Sequence, residues 1–194
     1  MRMEEMLVSN PTLPAGETSS GELQDFDSLV RLYRPRIFRF MLASLRDRES
    51  AENLTQECFL KAFQARDQFR GAAAVGTWLM QIATNLVRTH EGSKRLKFWR
   101  RTLGTCLDLA YVGHWIPDLQ RSPEAMVLAR EQVEAIWTAV ASVSERQRTV
   151  FLLRFVEDMD LLEIAAVTGM KEGTVKTHLF RAVQAVRAKL EAIR

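Results

Sequence analysis

The chain has 194 residues, of which 47% are hydrophobic, and its formal net charge is +3 at pH 7. This length suits one medium domain or two small ones, and the hydrophobic share is sufficient for packed cores. The mild basic excess permits a nucleic-acid partner without requiring one, so the distribution of charge must decide. The two cysteines, Cys58 and Cys106, are too far apart for a CxxC site, and the sequence predicts no metal and no cofactor.

The sequence predicts no targeting or membrane-spanning segment. No apolar run approaches the roughly 20 residues that a spanning helix needs. Residues 1–21 are rich in proline, glycine, serine and threonine, and predict a flexible tail rather than a signal peptide. We therefore expect a cytoplasmic protein in a reducing compartment, without membrane insertion.

After this tail the hydrophobic pattern is helical, and it indicates no strand or internal repeat. The first helix is predicted from about Glu22, with Pro35 kinking or splitting it. Further helices are predicted from about Ser50 to Gln68 and from Thr77 to His90, with a loop of small residues at 71–76 between them. The inner stripe of the second helix is predicted to contain Ala51, Leu54, Cys58, Phe59, Ala62, Phe63 and Ala65.

Residues 102–122 lose this periodicity and predict a linker between two domains. Ser122 and Pro123 then indicate the start of a helix that runs to about Ala141. Ser144, with Gln147 three residues later, predicts the start of another helix that ends near Val156.

The stretch from Asp160 to Leu190 predicts a helix-turn-helix. Asp160 and Glu163 form a capping-box pattern, and Gly169 ends the short first helix. The apolar face of that helix is predicted to consist of Leu162, Ala165 and Ala166. The second helix has a stripe of Val175, Leu179, Ala182 or Val183, Val186 and Leu190. About 100° per residue places Thr174, Thr177, Arg181 and Gln184 opposite the stripe, with Phe180 beside them and Lys176 on the flank. Such a helix can lie in the major groove of DNA, although an ordinary amphipathic helix would give the same pattern.

These elements predict an all-α protein of two small helical domains joined by a flexible linker. The predicted organisation is a tail at 1–21, a first domain at 22–101, a linker at 102–122 and a helix-turn-helix domain at 123–194.

Several strings of residues in the two domains stand out. In the first domain they are Ala51 to Phe63, Phe69-Arg70-Gly71, Thr77-Trp78-Leu79 and Ile82 to Asn85. In the second domain they are Glu163-Ile164-Ala165-Ala166, Gly173 to Leu179 and Arg181-Ala182. With these strings and two helical domains in this order, the chain resembles extracytoplasmic-function (ECF) sigma factors of bacterial RNA polymerase, over roughly 25–100 and 125–192.

The resemblance implies a promoter-specificity subunit and not an enzyme. In the family the first domain binds the clamp helices of the polymerase β′ subunit and recognises the −10 element of promoter DNA. The second domain places its recognition helix in the −35 major groove and contacts the β flap. ECF sigma factors are commonly held inactive by an anti-sigma factor. The apolar linker residues Tyr111, Trp115 and Ile116 are expected to pack between the domains or against such an inhibitor.

Carried over by position, the resemblance implies three groups of contact residues. The core polymerase contact comprises Asn53, Gln56 and Glu57, although relatives usually have Asp at the position of Asn53. The −10 contacts comprise Phe69, Arg70, Gly71, Asn85, Arg88, Lys94 and Arg95. The −35 contacts comprise Thr174, Lys176, Thr177, His178, Phe180 and Arg181. Trp78 is expected in the core rather than stacked on a base, and Cys58 is not expected to sense oxidants.

Two other functions fit the sequence less well. A free-standing helix-turn-helix regulator leaves the first domain unexplained, and the sequence has no heptad run for a dimer interface; polymerase-dependent DNA binding would separate the two. An enzyme is disfavoured because the three histidines are scattered and no HExxH, GxSxG or P-loop motif is present. Glu157 and Asp158 are explained by a solvated turn, and Asp160 by a helix cap.

Overall fold

The computed structural model describes residues 25–69, 74–97, 133 and 135–191, with side chains described up to 92 in the second range. The helices are α1 (Phe26–Leu45), α2 (Arg48–Ala65) followed by a 3-10 turn (Arg66–Gln68), α3 (Val75–Lys97), α4 (135–142), α5 (Glu145–Phe155), α6 (Leu161–Thr168) and α7 (Glu172–Glu191). These ranges contain no β-strand, and the predicted all-α class is confirmed. The predicted tail at 1–21 and linker at 102–122, with Trp115, lie outside the described residues.

Helix α1 is a single unbroken helix, so the predicted split at Pro35 is wrong. Asp25 caps its start by accepting a hydrogen bond from the Ser28 amide at 3.1 Å. Arg46 ends it in the left-handed conformation, with φ 55°. Proline has no backbone N–H, so one carbonyl of the preceding turn loses its hydrogen-bond donor. Because Pro35 is exposed, water can donate to that carbonyl instead.

Helix α3 is longer than the sequence predicts at both ends. It begins at Val75, inside the predicted loop, and continues past the predicted end at His90 to Lys97. Gly76 lies in the first turn of α3, where α1 is so close that a side chain would crowd it. A Cβ on Gly76 would be 3.0 Å from Cε1 of Tyr33. In the extension, Glu91 forms an ion pair with Arg148 of α5 at 2.9 Å. At both ends, the residues that lengthen α3 beyond its predicted bounds contact residues that are distant in sequence.

The core of the N-terminal half (α1–α3) follows the predicted stripes with one correction. Ala51, Leu54, Cys58, Phe59 and Ala62 of α2 are buried as predicted. Phe63, which was placed on the same stripe, has 45% of its surface exposed. Its ring lies edge-on to Phe26, with centroids 5.2 Å apart, and the guanidinium of Arg66 stacks over it at 3.8 Å.

The C-terminal half (α4–α7) contains the predicted helix-turn-helix. The amide of Glu163 donates to Oδ1 of Asp160, the amide of Asp160 donates to Oε2 of Glu163, and both distances are 2.8 Å. Gly169 ends α6 with φ 70°. Ala165 packs against the core as predicted, but the predicted inward positions of Leu162 and Ala166 are wrong. Leu162 is 66% exposed, Ala166 is exposed, and α6 instead buries Ile164 and Val167.

The two halves pack against each other, with α1 against α5 and α3 against α6, and they share one hydrophobic core. Polar contacts also join them. Nε of Arg36 lies 2.8 Å from Oε2 of Glu157, and Nε of Arg39 lies 3.1 Å from Oε1 of the same carboxylate. The Glu157 side chain is 0% exposed, so the prediction that it lies in a solvated turn is wrong.

Cys58 lies in the core between α2 and α3, where its Sγ donates to the carbonyl oxygen of Leu79 at 3.6 Å. Burial, together with the nearby charge of Glu57, raises the pKa of the Cys58 thiol from 9.0 to about 12. The thiol is therefore neutral at physiological pH, and only a thiolate reacts readily with electrophiles or oxidants.

We expect Cys58 to resist alkylation in the folded chain. Iodoacetamide added at pH 8 to a Cys106→Ser variant should react about 1,000-fold more slowly than with the same variant in urea, because so little thiolate is present. Equal rates would contradict this account of the thiol. As pH rises from about 9 towards 12, the native state should lose stability, because the thiol of the unfolded chain ionises first.

Candidate nucleic-acid and polymerase interfaces

One candidate surface is the outer face of α2, opposite the stripe that α2 buries. Asn53 and Gln56 are exposed on it, and Glu57 is half-buried. The Glu57 carboxylate forms an exposed ion pair with Lys61 at 3.4 Å. The face can therefore donate and accept hydrogen bonds without rearrangement of the core.

Leu60 extends this surface, and the sequence analysis did not assign it a role. It is four residues after Gln56, so it lies on the same side of the helix, and 57% of it is exposed. The sequence contained one signal for this role: Leu60 is apolar but does not belong to the buried stripe, and it lies one helical turn from Gln56 on the polar face. The surface combines amides and a carboxylate with an exposed aliphatic side chain, which suits a protein partner more than a phosphate backbone.

A second candidate surface lies where α3 begins and along its exposed side. The rings of Phe69 and Trp78 are stacked at a tilt, with centroids 4.9 Å apart, and both are half-buried. Trp78 packs on the core, as the sequence predicts. Further along α3, Nη2 of Arg88 donates to Oδ1 of the exposed Asn85 at 2.9 Å. An amide and a cation are thus held side by side on one turn.

Arg70 and Gly71 lie outside the described residues. Lys94 and Arg95 belong to the last turns of α3, but their side chains are outside the described set.

The third candidate surface is the exposed side of α7. Burial of Val175, Ala182 and Val186 fixes the rotation of this helix. The opposite side exposes Thr174, Lys176, Thr177, Phe180 and Arg181, as predicted. The Phe180 side chain is 65% exposed, which is unusual for a large aromatic residue in a packed domain.

Local bonds already engage some groups on α7. The hydroxyl of Thr177 donates to the carbonyl of Gly173 at 2.9 Å, and Nζ of Lys176 lies 2.6 Å from a carboxylate oxygen of Glu172. His178 is half-buried, and its Nδ1 has no hydrogen-bond partner among the described residues. It therefore lies at the edge of the surface, whereas Phe180 and Arg181 lie at its exposed centre.

Over the described residues, no cluster of His, Cys, Asp or Glu side chains is arranged to hold a metal ion. Within the same ranges, no helix has the length and apolarity needed to cross a membrane.

Comparison with protein families identifies both halves. The family profile for sigma-70 region 2 matches residues 29–95, and the profile for sigma-70 region 4 matches residues 133–186. The RNA polymerase sigma-H factor of Pseudomonas aeruginosa is 31% identical over 176 residues, which cover 89% of this chain and 90% of that protein. The ECF sigma-E factor of Escherichia coli is 28% identical over 182 residues, with coverage of 89% and 90%.

Solved structures share the fold. The sigma factor RpoE of Bartonella quintana, in complex with the anti-sigma factor NepR, gives a TM-score of 0.67 at 19% identity and covers 88% of this chain and 99% of its own. CnrH, in complex with the cytosolic domain of CnrY, gives 0.62 at 20% identity, with coverage of 89% and 95%. With both regions matched in order and a relative above 30% identity over nearly its whole length, the chain belongs to the sigma factors of bacterial RNA polymerase, in the ECF group.

Proposed function

We propose that the two halves of this sigma factor divide promoter recognition between them. The N-terminal domain, 22–101, binds the β′ clamp helices of core RNA polymerase through the outer face of α2 and holds the −10 element along α3. The C-terminal domain, 123–194, places α7 in the −35 major groove and contacts the β flap. The linker, 102–122, runs through the polymerase and connects the two domains. Because RNA polymerase acts in the bacterial cytoplasm, the protein is cytoplasmic.

The observation that carries this proposal is the orientation of α7. Because its stripe is buried, the adjacent residues Phe180 and Arg181 are exposed on the outward side of the helix. An arginine can pair bidentately with guanine, and an aromatic ring can contact the methyl group of thymine. Thr174, Lys176 and Thr177 flank them with hydroxyls and a cation, and His178 at the edge can contact the DNA backbone.

The −10 assignment rests on α3 and on the residues before it. Single-stranded bases are held by stacking and by polar groups that reach their edges. Phe69 provides an aromatic ring beside Arg70 and Gly71, and Asn85 provides an amide. Arg88, Lys94 and Arg95 supply positive charge for phosphates, a term that depends on salt and not on sequence.

The core polymerase assignment rests on the exposed α2 face. Asn53, Gln56 and Glu57 offer hydrogen bonds, and Leu60 beside them offers apolar contact. A stand-alone regulator would have no use for this domain, whereas sigma-70 region 2 accounts for residues 29–95.

We also propose that an anti-sigma factor controls the chain. One solved structure with the same fold is a complex of a sigma factor with the anti-sigma factor NepR, and another is a complex of CnrH with the cytosolic domain of CnrY. An inhibitor that contacts both halves would cover the polymerase and promoter surfaces together.

The direct test is size-exclusion chromatography of the purified chain with bacterial core RNA polymerase at moderate salt. One-to-one co-elution is expected. A folded chain that elutes apart from the polymerase, yet binds DNA by itself, would instead favour the stand-alone regulator.

Replacing Arg181 by alanine should weaken promoter-specific transcription and leave core binding intact. The expected loss is about 1–3 kcal/mol, because one bidentate base contact disappears. Run-off transcription from a −35-dependent promoter measures it. Arg187→Ala is the matched control, since Arg187 is also exposed on α7 but lies about 9 Å further along the helix than Arg181 and is not one of the assigned −35 contacts. Equal losses in the two variants would refute the assigned reading face.

The double change Asn53→Ala and Gln56→Ala should have the reverse effect. Two lost hydrogen bonds should lower core affinity by about 1–3 kcal/mol, while the −35 contacts remain unchanged. Fluorescence anisotropy with core polymerase measures the affinity, and Arg181→Ala serves as the control that should not change it. If the double variant bound core normally, the α2 face would not be the polymerase contact.

A further inference from the structure

A hydrogen bond joins two of the residues assigned to the −10 element, Arg88 and Asn85. Burial of Ala83, Leu86 and Val87 fixes the rotation of α3 and leaves both polar residues exposed to solvent. They are three residues apart, so their side chains are neighbours on the helix surface. Nη2 of Arg88 donates to Oδ1 of Asn85 at 2.9 Å. The two side chains therefore meet a partner as one unit.

This bond determines which end of the Asn85 amide is free. A guanidinium has several N–H donors and no acceptor, whereas an asparagine side chain has a carbonyl oxygen that accepts and an NH2 group that donates. The reversed amide would place its NH2 group against the guanidinium of Arg88, donor against donor. The orientation that satisfies both groups engages Oδ1 and leaves the hydrogens of Nδ2 available to another molecule.

An amide held in this way discriminates against adenine. An unconstrained asparagine pairs with adenine through both atoms, because its oxygen accepts from the adenine amino group and its nitrogen donates to ring nitrogen N7. Oδ1 of Asn85 is already engaged by a cation. An adenine amino group, which carries partial positive charge, would have to approach that oxygen beside the guanidinium, and like charges repel. The free hydrogens of Nδ2 suit a carbonyl oxygen, which guanine, thymine and cytosine have and adenine lacks.

We propose that Arg88 is a positioning residue for Asn85: it holds the amide so that Nδ2 donates to a base with a carbonyl oxygen, and the pair thereby selects against adenine at one position of the −10 element. The inference rests on the proposed −10 assignment of Asn85. The other N–H donors of Arg88 remain free for a phosphate, so both roles are compatible.

The test measures base preference with reconstituted holoenzyme. Core RNA polymerase and the full-length sigma chain select DNA from a pool randomised over both promoter elements, and the selected sequences are counted. The position that Asn85 reads is the one at which Asn85→Ala changes the ratios of the four bases. At that position the wild-type chain should disfavour adenine. Arg88→Met should raise the share of adenine relative to the other bases about tenfold, which is the size of one base contact.

Arg88→Lys is the matched control, because an ammonium group also donates, has no acceptor and carries the same charge. It should keep the wild-type base ratios, and a shift as large as that of Arg88→Met would contradict the role of the donor. Loss of a phosphate contact weakens binding to all sequences alike, so it leaves the ratios unchanged. If Asn85→Ala changed the ratios and Arg88→Met did not, the positioning role would be refuted and the proposed function would stand. If Asn85→Ala changed none of them, the −10 assignment of Asn85 would be wrong, and this inference with it.

A second measurement needs no polymerase. In the free full-length chain, the NMR order parameter of the Asn85 NH2 group reports its motion on the picosecond to nanosecond timescale. The order parameter should fall in Arg88→Met, because the bond to Oδ1 is lost, and should stay near the wild-type value in Arg88→Lys. Equal order parameters in the wild-type chain and in Arg88→Met would overturn the proposal, whatever the DNA selection gave.

Discussion

The described part of the molecule depends on one constraint: each helix has an apolar stripe, which must be buried. In α7, burial of Val175, Ala182 and Val186 sets the rotation of the helix and leaves Phe180 and Arg181 towards solvent. In α2, burial of Ala51, Leu54 and Cys58 does the same for Asn53 and Gln56. The surfaces assigned to polymerase and DNA are thus the complements of the packed faces. Because a rigid core orients each surface, its side chains need little ordering when a partner binds.

The packing of the two halves adds a second level of organisation. The halves share a hydrophobic core, yet the polar contacts between them involve groups that water can also satisfy, such as Arg36, Arg39 and Glu157. An ion pair of this kind contributes little net stability, because its attraction is offset by desolvation. It does favour one relative placement of the halves.

Local patterns in the sequence were good predictors wherever a structure depends on neighbouring residues. The capping box of Asp160 and Glu163, the turn at Gly169 and the stripe of α7 are all present as predicted. The predictions for Phe63 and Leu162 failed for a common reason. Each is an apolar residue at the margin of its stripe, and whether the margin is covered depends on which other helix packs there. In the described part of the chain Phe63 meets α1 only through the edge-on contact with Phe26, and both Phe63 and Leu162 remain exposed.

The sequence by itself determined that the chain is helical, most of the buried faces and which residues of α7 are exposed, because hydrophobic periodicity and capping act within a few residues. It also identified the family through strings of residues in register. Only the tertiary structure decided that α3 continues to Lys97, that Glu91 pairs with Arg148 and that Glu157 is buried against α1. The two ion pairs join residues more than 50 positions apart in the sequence. A carboxylate after a helix has the same local sequence pattern whether it is solvated or buried. Its burial depends on which part of the other half packs over it.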